Sequence, residues 1–418
     1  MATFSPGPRK PTAIPSLILG PLAADYSTCG KLPGMAIDPS PPLLVRLLRP
    51  YPDLATLGGA SELCLRLTEG DGSPGIEAHL AGTGADRVAL LGEGTVLVEG
   101  RLDRLLAGVQ SLPADLARSA TVRALRDTLV HLQGPAPSLR VGDQVWEFGK
   151  RTYVLGIVNV TPDSFSGDGV GSWPEAAVEQ ARRLVAEGAD ALDIGGESTR
   201  PGHDKVELEE EIRRVLPALE LIASELSIPI FVDTSKPAVA RAALAAGAVG
   251  VNDVWGLRGD PEMAQVVSEA RAAVICMHNQ IGHQYSDLLS DVLAQLQGSL
   301  GLAEAAGVAR EQVVLDPGIG FGKMPSQNYE VLRRLIELRA LGCPILVGTS
   351  RKSLIGWLLD ERPVDGRLLG TAATVAWSVA AGADVVRVHD VAQMRDVTRV
   401  MDMVARGSRA ESPWPPLP

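Results

Sequence analysis

Three residues far apart in the chain, Asp233, Asn252 and Asp316, each stand at the end of a short apolar run. Together they supply carboxylate acceptors and an amide that both donates and accepts. Such a set suits a flat heterocycle with amino and ring N–H donors beside a carbonyl. A second group, Arg200, Lys352, Arg387 and His389, is cationic or able to become so. It suits a phosphate or diphosphate, with arginine making bidentate contacts. Ser353 opens the helical segment LIGWLLD, where its hydroxyl and the exposed N–H groups can hold a carboxylate.

These residues need a scaffold that gathers distant positions, and the pattern after about residue 145 describes one. Eight apolar, β-branched runs recur in order: YVLGIVNV, ADALDIG, PIFVDT, GVNDV, AAVICMH, VVLDPG, PILVG and ADVVRVH. Helix-period segments such as EAAVEQARRLVAEG, ELEEEIRRVLPALELIASEL and KPAVARAALAAG lie between them. Continuous apolar strands alternating with amphipathic helices imply parallel βαβ units covered by helices. Eight such units over about 265 residues predict an α/β fold, a (β/α)8 TIM barrel. An open doubly wound sheet fits less well, because no GxGxxG follows the first strand.

A barrel of this kind carries its chemistry at the C-terminal ends of the strands. Here Asn159, Thr199 and Arg200, Asp233, Asn252 and Asp253, His278, Asp316, Ser350 to Ser353, and Arg387 with His389 follow the eight runs in order. Any one of them alone reads as an ordinary helix or turn cap. Eight polar ends out of eight read as one shared site. Phosphate sites in barrels often lie near the loops after strands seven and eight, where three of the four cations fall.

Several chemistries lack their motif. DPGIGFGK fails the GxxxxGK[ST] spacing, and Met324 stands where Ser or Thr is required. No GxSxG elbow and no HExxH helix occur. Paired-carboxylate hydrolysis stays open from the sequence, although Asp233 and Asp316 would then face an unexplained basic cluster.

The rest of the chain is less informative. Residues 1–45 and 406–418 are rich in Pro and Gly and read as a poorly ordered leader and a disordered tail. Arg9 and Lys10 before AIPSLILGPLAA outline a faint signal peptide, but Pro15, Gly20 and Pro21 interrupt it. Residues 46–133 read as a small α/β N-terminal domain of unassigned role, joined by the linker GPAPSLRVGD to a barrel over 139–405. His79 and His131 there read as structural or surface residues, and His203 and His283 as solvated. The chain has 50 acidic and 39 basic residues of 418, a net charge of −11, and only 4% aromatics. That balance excludes a generic nucleic-acid partner but not a small anion held by local cations. Four scattered cysteines without a CxxC pair fit a reducing, cytoplasmic setting, and no apolar run reaches the roughly 18 residues of a membrane span.

The loops themselves carry a resemblance. NVTPDSFSGDG (159–169), DIGGESTRPG (193–202), VDTSKP (232–237), VNDV (251–254), DPGIGFGK (316–323), GTSRKS (348–353) and RVHDV (387–391) together resemble the dihydropteroate synthase family of folate biosynthesis, over roughly 139–405. The resemblance implies a (β/α)8 barrel transferase that joins 6-hydroxymethyl-7,8-dihydropterin diphosphate to 4-aminobenzoate with Mg2+, releasing diphosphate. It implies that Asp233, Asn252, Asp316 and Lys352 hold the pterin, and that Asn159 ligates the metal. It places Thr199, Arg200, Arg387 and His389 on the diphosphate, and Phe165, Pro201, Lys352 and Ser353 around the aminobenzoate. Asp316, Lys352, Arg387 and His389 form the implied catalytic set. Sulfonamides as competitive inhibitors and a homodimer through barrel helices are further implications. Two departures stand out: Asn279, where the family often has an apolar residue, and the order Gly167–Asp168 in the first loop. The rival readings are a pterin-dependent methyltransferase of related fold, which needs no diphosphate site, and a catalytically silent scaffold paralogue.

Overall fold

The computed structural model describes residues 46–47, 62–68, 76–92, 95–118, 120–160, 173–197 and 206–407. The readings made for the leader, for the tail beyond residue 407, and for Phe165, Gly167, Asp168, Thr199, Arg200, Pro201 and His203 lie outside those residues.

Ahead of the barrel, β1 (Arg46–Leu47), β2 (Glu62–Thr68), β3 (Arg87–Gly92) and β4 (Thr95–Arg101) pair antiparallel in the order β1-β2-β4-β3. With them go α1 (Ile76–Thr83), α2 (Leu102–Gln110), α3 (Ala114–Ala117) and α4 (Ala120–Gln133). Helix α2 buries Leu102, Leu105, Leu106 and Val109, and α4 buries Val122, Leu125, Leu129 and Leu132. Both sets fall at helical spacing on one face, so the two helices share a core. His131 bonds through Nδ1 to the Ala340 carbonyl at 3.0 Å, and Arg339 Nη2 donates to Gly134 O at 2.7 Å. His131 is therefore structural, as is His79, which pairs with Ser111 Oγ at 3.0 Å.

The segment read as a linker contains structure of its own. β5 (Leu139–Val141) and β6 (Gln144–Trp146) form a hairpin within and after it. Leu139 and Val141 are fully buried, and two apolar residues across a three-residue strand are too few for a sequence pattern to register.

All eight apolar runs become strands: β7 (Tyr153–Asn159), β8 (Ala191–Gly195), β9 (Ile230–Asp233), β10 (Gly250–Asp253), β11 (Ala273–Met277), β12 (Val313–Asp316), β13 (Leu346–Val347) and β14 (Val385–Val388). They pair in parallel in chain order from β7 to β12, and β14 joins β7 to β13. A parallel bridge between Leu315 and Ile345 closes the ring, making an eight-stranded parallel barrel. Around it run α5 (Trp173–Ala186), α6 (Leu208–Glu225), α7 (Pro237–Ala245), α8 (Glu262–Ala270), α9 (Leu288–Ala305), α10 (Pro325–Arg333), α11 (Ser353–Leu358), α12 (Leu368–Ala380) and α13 (Val391–Arg406).

The strands are buried on both faces, and period-two alternation divides them. Val154, Val158, Leu192, Ile194, Val232, Val251, Val274, Leu315 and Val386 pack toward the helices. Leu155, Ala191, Phe231, Ile275, Val314, Leu346 and Val385 pack with the hairpin's Leu139, Val141 and Trp146 as an inner core. Trp146 stacks on Tyr153 with centroids 4.4 Å apart, so the hairpin floors the barrel at the N-terminal ends of the strands. Gly250 is required there: a Cβ would lie 2.3 Å from the Phe231 ring.

Candidate active site

The inner core fills only the lower part of the barrel. Two residues on from Ala191, Phe231, Val314 and Val385, the same phase places Asp193, Asp233, Asp316 and Arg387 toward the axis at the C-terminal end. Asn159 follows Leu155 by four, and Asn252 follows Gly250, which faces the Phe231 ring, by two. The polar strand ends thus converge on one mouth because of alternation.

Arg387 lies at the centre of the group. Its Nη2 donates to Asp233 Oδ2 at 2.6 Å and its Nε donates to Asp193 Oδ2. Asn252 Nδ2 donates to the same Asp193 oxygen at 3.0 Å. Burial works against the guanidinium charge, but Asp193 and Asp233 outweigh it and hold the Arg387 pKa above its ordinary value. Burial pushes the Asp233 carboxyl up to about 7, with Arg387 opposing. Asp193 Oδ1 and Asp233 Oδ1 are both buried and without a partner among the described residues. Two buried acceptors left open at a mouth ask for donors from a ligand.

Asp316 stands beside this network. Its Oδ1 accepts the Gly318 N–H at 2.7 Å, and burial raises its pKa against the pull of Lys352. Burial pushes Lys352 down to about 8, with Asp316 opposing. Lys352 donates to the Ile319 carbonyl, and its Nζ lies 4.6 Å from the centre of the Phe321 ring. The loop after β12 reaches Lys352 through glycine: Gly320 has φ +86°, and a Cβ there would meet the Lys352 stem at 2.9 Å.

The outer part of the mouth holds the remaining groups. Buried Ser350 receives the His389 backbone N–H at 3.1 Å and contacts His389 Nδ1 at 3.0 Å. Where the hydroxyl donates to Nδ1, the neutral ring carries its proton on Nε2. Ser353 is exposed at the first turn of α11. Glu197 Oε1 accepts the Val206 N–H at 3.3 Å, and Lys236 bridges Glu197 and Glu211. The first of these bonds ties Glu197 to Val206, on either side of the segment that carries Thr199, Arg200 and Pro201.

The strand-end residues do not all serve the mouth. Asp253 accepts the Trp255 and Leu257 N–H groups at 2.9 and 2.7 Å and shapes a turn. Arg351 pairs with Asp390 at the start of α13. Asn279 is buried, and its carbonyl accepts from Arg258 at 2.8 Å. His283 is exposed. Strand-end reasoning missed Asp193, which lies two residues inside its run; its signal was a lone charge at an inward position of an apolar strand. It also missed Phe321.

Among the described residues no group of three or more His, Cys, Asp or Glu side chains could hold a metal ion. The Asn159 amide offers one hard oxygen at the end of β7. It fits a hard cation such as Mg2+, which takes few protein ligands and completes its shell with water and substrate phosphate.

The model for "Pterin binding enzyme" matches residues 155–389, a span that contains every strand-end residue described above. The dihydropteroate synthase of Synechocystis is 45% identical over 277 residues, covering 65% of this chain and 96% of that protein. The Bacillus subtilis dihydropteroate synthase is also 45% identical, over 255 residues, covering 61% and 89%. The chain belongs to the dihydropteroate synthases.

Solved members of that family agree. A dihydropteroate synthase from Xanthomonas albilineans with 4-aminobenzoic acid superposes with TM-score 0.62 at 42% identity, covering 64% of this chain and 98% of that one. The same enzyme in complex with 7,8-dihydropteroate gives 0.60 at 41% identity, with the same coverage. Residues 46–133 fall outside the span of the family match.

Proposed function

We infer that the chain is a dihydropteroate synthase, a transferase that condenses 6-hydroxymethyl-7,8-dihydropterin diphosphate with 4-aminobenzoate to give 7,8-dihydropteroate and diphosphate. The observation that carries the site assignment is the pair of open buried acceptors, Asp193 Oδ1 and Asp233 Oδ1, beside a guanidinium in the barrel mouth.

In this reading the pterin lies on Asp233, Asn252, Asp316 and Lys352, its amino and ring N–H groups donating to the carboxylates. Asp233 and Asp316 favour the positive charge that spreads into the ring as the methylene C–O bond breaks. Arg387 and His389, with Thr199 and Arg200, receive the departing diphosphate, His389 donating from Nε2. Asn159, together with substrate oxygens, would hold Mg2+, which would supply electrostatic stabilisation of that leaving group. The arylamine attacks with its lone pair, forms the C–N bond and loses a proton to solvent. It is neutral at pH 7, so positioning by Phe165, Pro201, Lys352 and Ser353 contributes much of the rate. No covalent enzyme intermediate is required.

The reading extends to sulfonamides, which would compete with 4-aminobenzoate; a Yersinia pestis dihydropteroate synthase solved with a sulfonamide drug supports this. It also extends to a cytoplasmic location, supported by the free, buried Cys276 and Cys343. A homodimer is supported by exposed apolar residues on α12 and α13: Leu369, Val400, Met403 and Val404. Residues 46–133 are read as a separate small domain.

Purified protein incubated with both substrates and Mg2+ tests the assignment. Dihydropteroate and diphosphate should appear in equal amounts; absence of both refutes it.

A further inference from the structure

Lys323 is a buried lysine that the proposed reaction does not use. It is 5% exposed, yet its ammonium is fully coordinated. Nζ contacts His278 Nδ1 at 2.8 Å and donates to Gly318 O at 3.0 Å and Phe321 O at 3.1 Å. An ammonium has three donors, and here it meets three acceptors. Nδ1 accepts from the ammonium when the His278 ring is neutral with its proton on Nε2. Burial and the nearby Lys323 push the His278 pKa down to about 2, and burial pushes Lys323 down to about 7 with Asp316 opposing.

The three partners, one ring nitrogen and two carbonyls, come from two segments that pack face to face. A Cβ on Gly318 would lie 1.9 Å from the His278 carbonyl, and the His278 N–H donates to Asp316 O at 2.8 Å. On the same loop, the Ile319 carbonyl receives Lys352, the Phe321 ring lies beside the Lys352 ammonium, and the Gly320 N–H donates to Asn328 Oδ1 at 2.6 Å. Lys323 thus grips the loop through the residues that flank the Lys352 contacts.

We propose that Lys323 is a positioning residue: its ammonium clamps the 316–323 loop to His278 and thereby fixes where Ile319 and Phe321 place Lys352 against the pterin. The proposal rests on the pterin-binding role given to Lys352 above. A clamp behind the pterin pocket acts on that substrate and leaves the outer aminobenzoate site alone. A merely structural role would lower the fraction of active protein and leave both KM values unchanged.

The test compares the full chain with Lys323→Met, which keeps the stem without donors, and His278→Phe, which keeps a ring without the Nδ1 acceptor. Three quantities are read: KM for each substrate, the calorimetric Kd of 6-hydroxymethylpterin, and hydrogen exchange across 316–323. Lys323→Met should raise the pterin Kd and the KM for the pterin diphosphate about tenfold, hold the aminobenzoate KM within about twofold, and speed Gly320 amide exchange about tenfold. His278→Phe should shift the same quantities the same way by about threefold. A folded Lys323→Met with wild-type pterin Kd and exchange overturns the proposal. If that variant does not fold, His278→Phe decides, and unchanged Kd and exchange there overturn it equally. Exchange needs no turnover, so a wild-type chain that fails to make dihydropteroate would remove the reaction assignment while the clamp is still judged.

Discussion

Arg387 Nη2 and Asp233 Oδ2 meet at 2.6 Å across 154 positions of sequence, one on β14 and the other on β9. The same guanidinium also serves Asp193, so one cation is shared by two buried carboxylates. The site is left with unspent acceptor capacity, which suits a ligand that brings N–H donors and gains positive charge.

Arg387→Met should therefore do more than remove a diphosphate contact. Stripping the cation from two buried carboxylates costs about 3–5 kcal/mol of stability. Urea denaturation should show that loss together with loss of turnover. Arg387→Lys should recover only part of either, since an ammonium cannot reproduce the two-pronged geometry. Wild-type stability in Arg387→Met would contradict the shared-cation description.

The raised Asp233 pKa gives a second prediction. Between its ordinary 3.8 and about 7 the folded protein holds a proton that the unfolded chain has released. This contribution therefore falls as pH rises through that window, by on the order of a few kcal/mol. Lys352 works in the opposite sense at higher pH. Between about 8 and 10.5 the unfolded chain binds the extra proton, so stability from this group rises with pH. Urea midpoints from pH 4.5 to 7 should decline more steeply for wild type than for Asp233→Asn. Parallel declines would mean that Asp233 is not the titrating group.

Much of this arrangement was legible before any coordinates. Eight β-branched runs with polar ends were enough for the barrel, because parallel strands covered on both faces leave an unusually continuous apolar signal. The same logic identified Asp233, Asn252, Asp316 and Arg387. Asp193 escaped because a rule about strand ends ignores phase, and phase is what turns its side chain to the axis. The floor hairpin escaped because Leu139, Val141 and Trp146 are too few to show a period. His278 read as one of the eight polar strand ends and Lys323 as the last residue of DPGIGFGK; only the fold of the 316–323 segment brings Nζ to three acceptors.

Ser350→Ala removes the hydroxyl that holds both the Nδ1 and the backbone N–H of His389. Steady-state kinetics should show kcat reduced about tenfold through loss of one oriented donor to the leaving group. Calorimetry with unphosphorylated 6-hydroxymethylpterin should give a wild-type Kd. A weakened Kd with unchanged kcat would move Ser350 out of the leaving-group site.

Ser353→Ala changes an exposed hydroxyl at the rim. Its effect should be confined to the second substrate, with the KM for 4-aminobenzoate raised about fivefold by loss of a hydrogen bond to a charged group. Equal rises for both substrates would remove Ser353 from the carboxylate site.

The most direct test of the site is a crystal structure with 6-hydroxymethyl-7,8-dihydropterin diphosphate bound. The account predicts the pterin edge within hydrogen-bond distance of Asp233 Oδ1 and Asp316, with the diphosphate against Arg387 and His389. A pterin bound elsewhere, or one that leaves Asp233 Oδ1 without a donor, would contradict it.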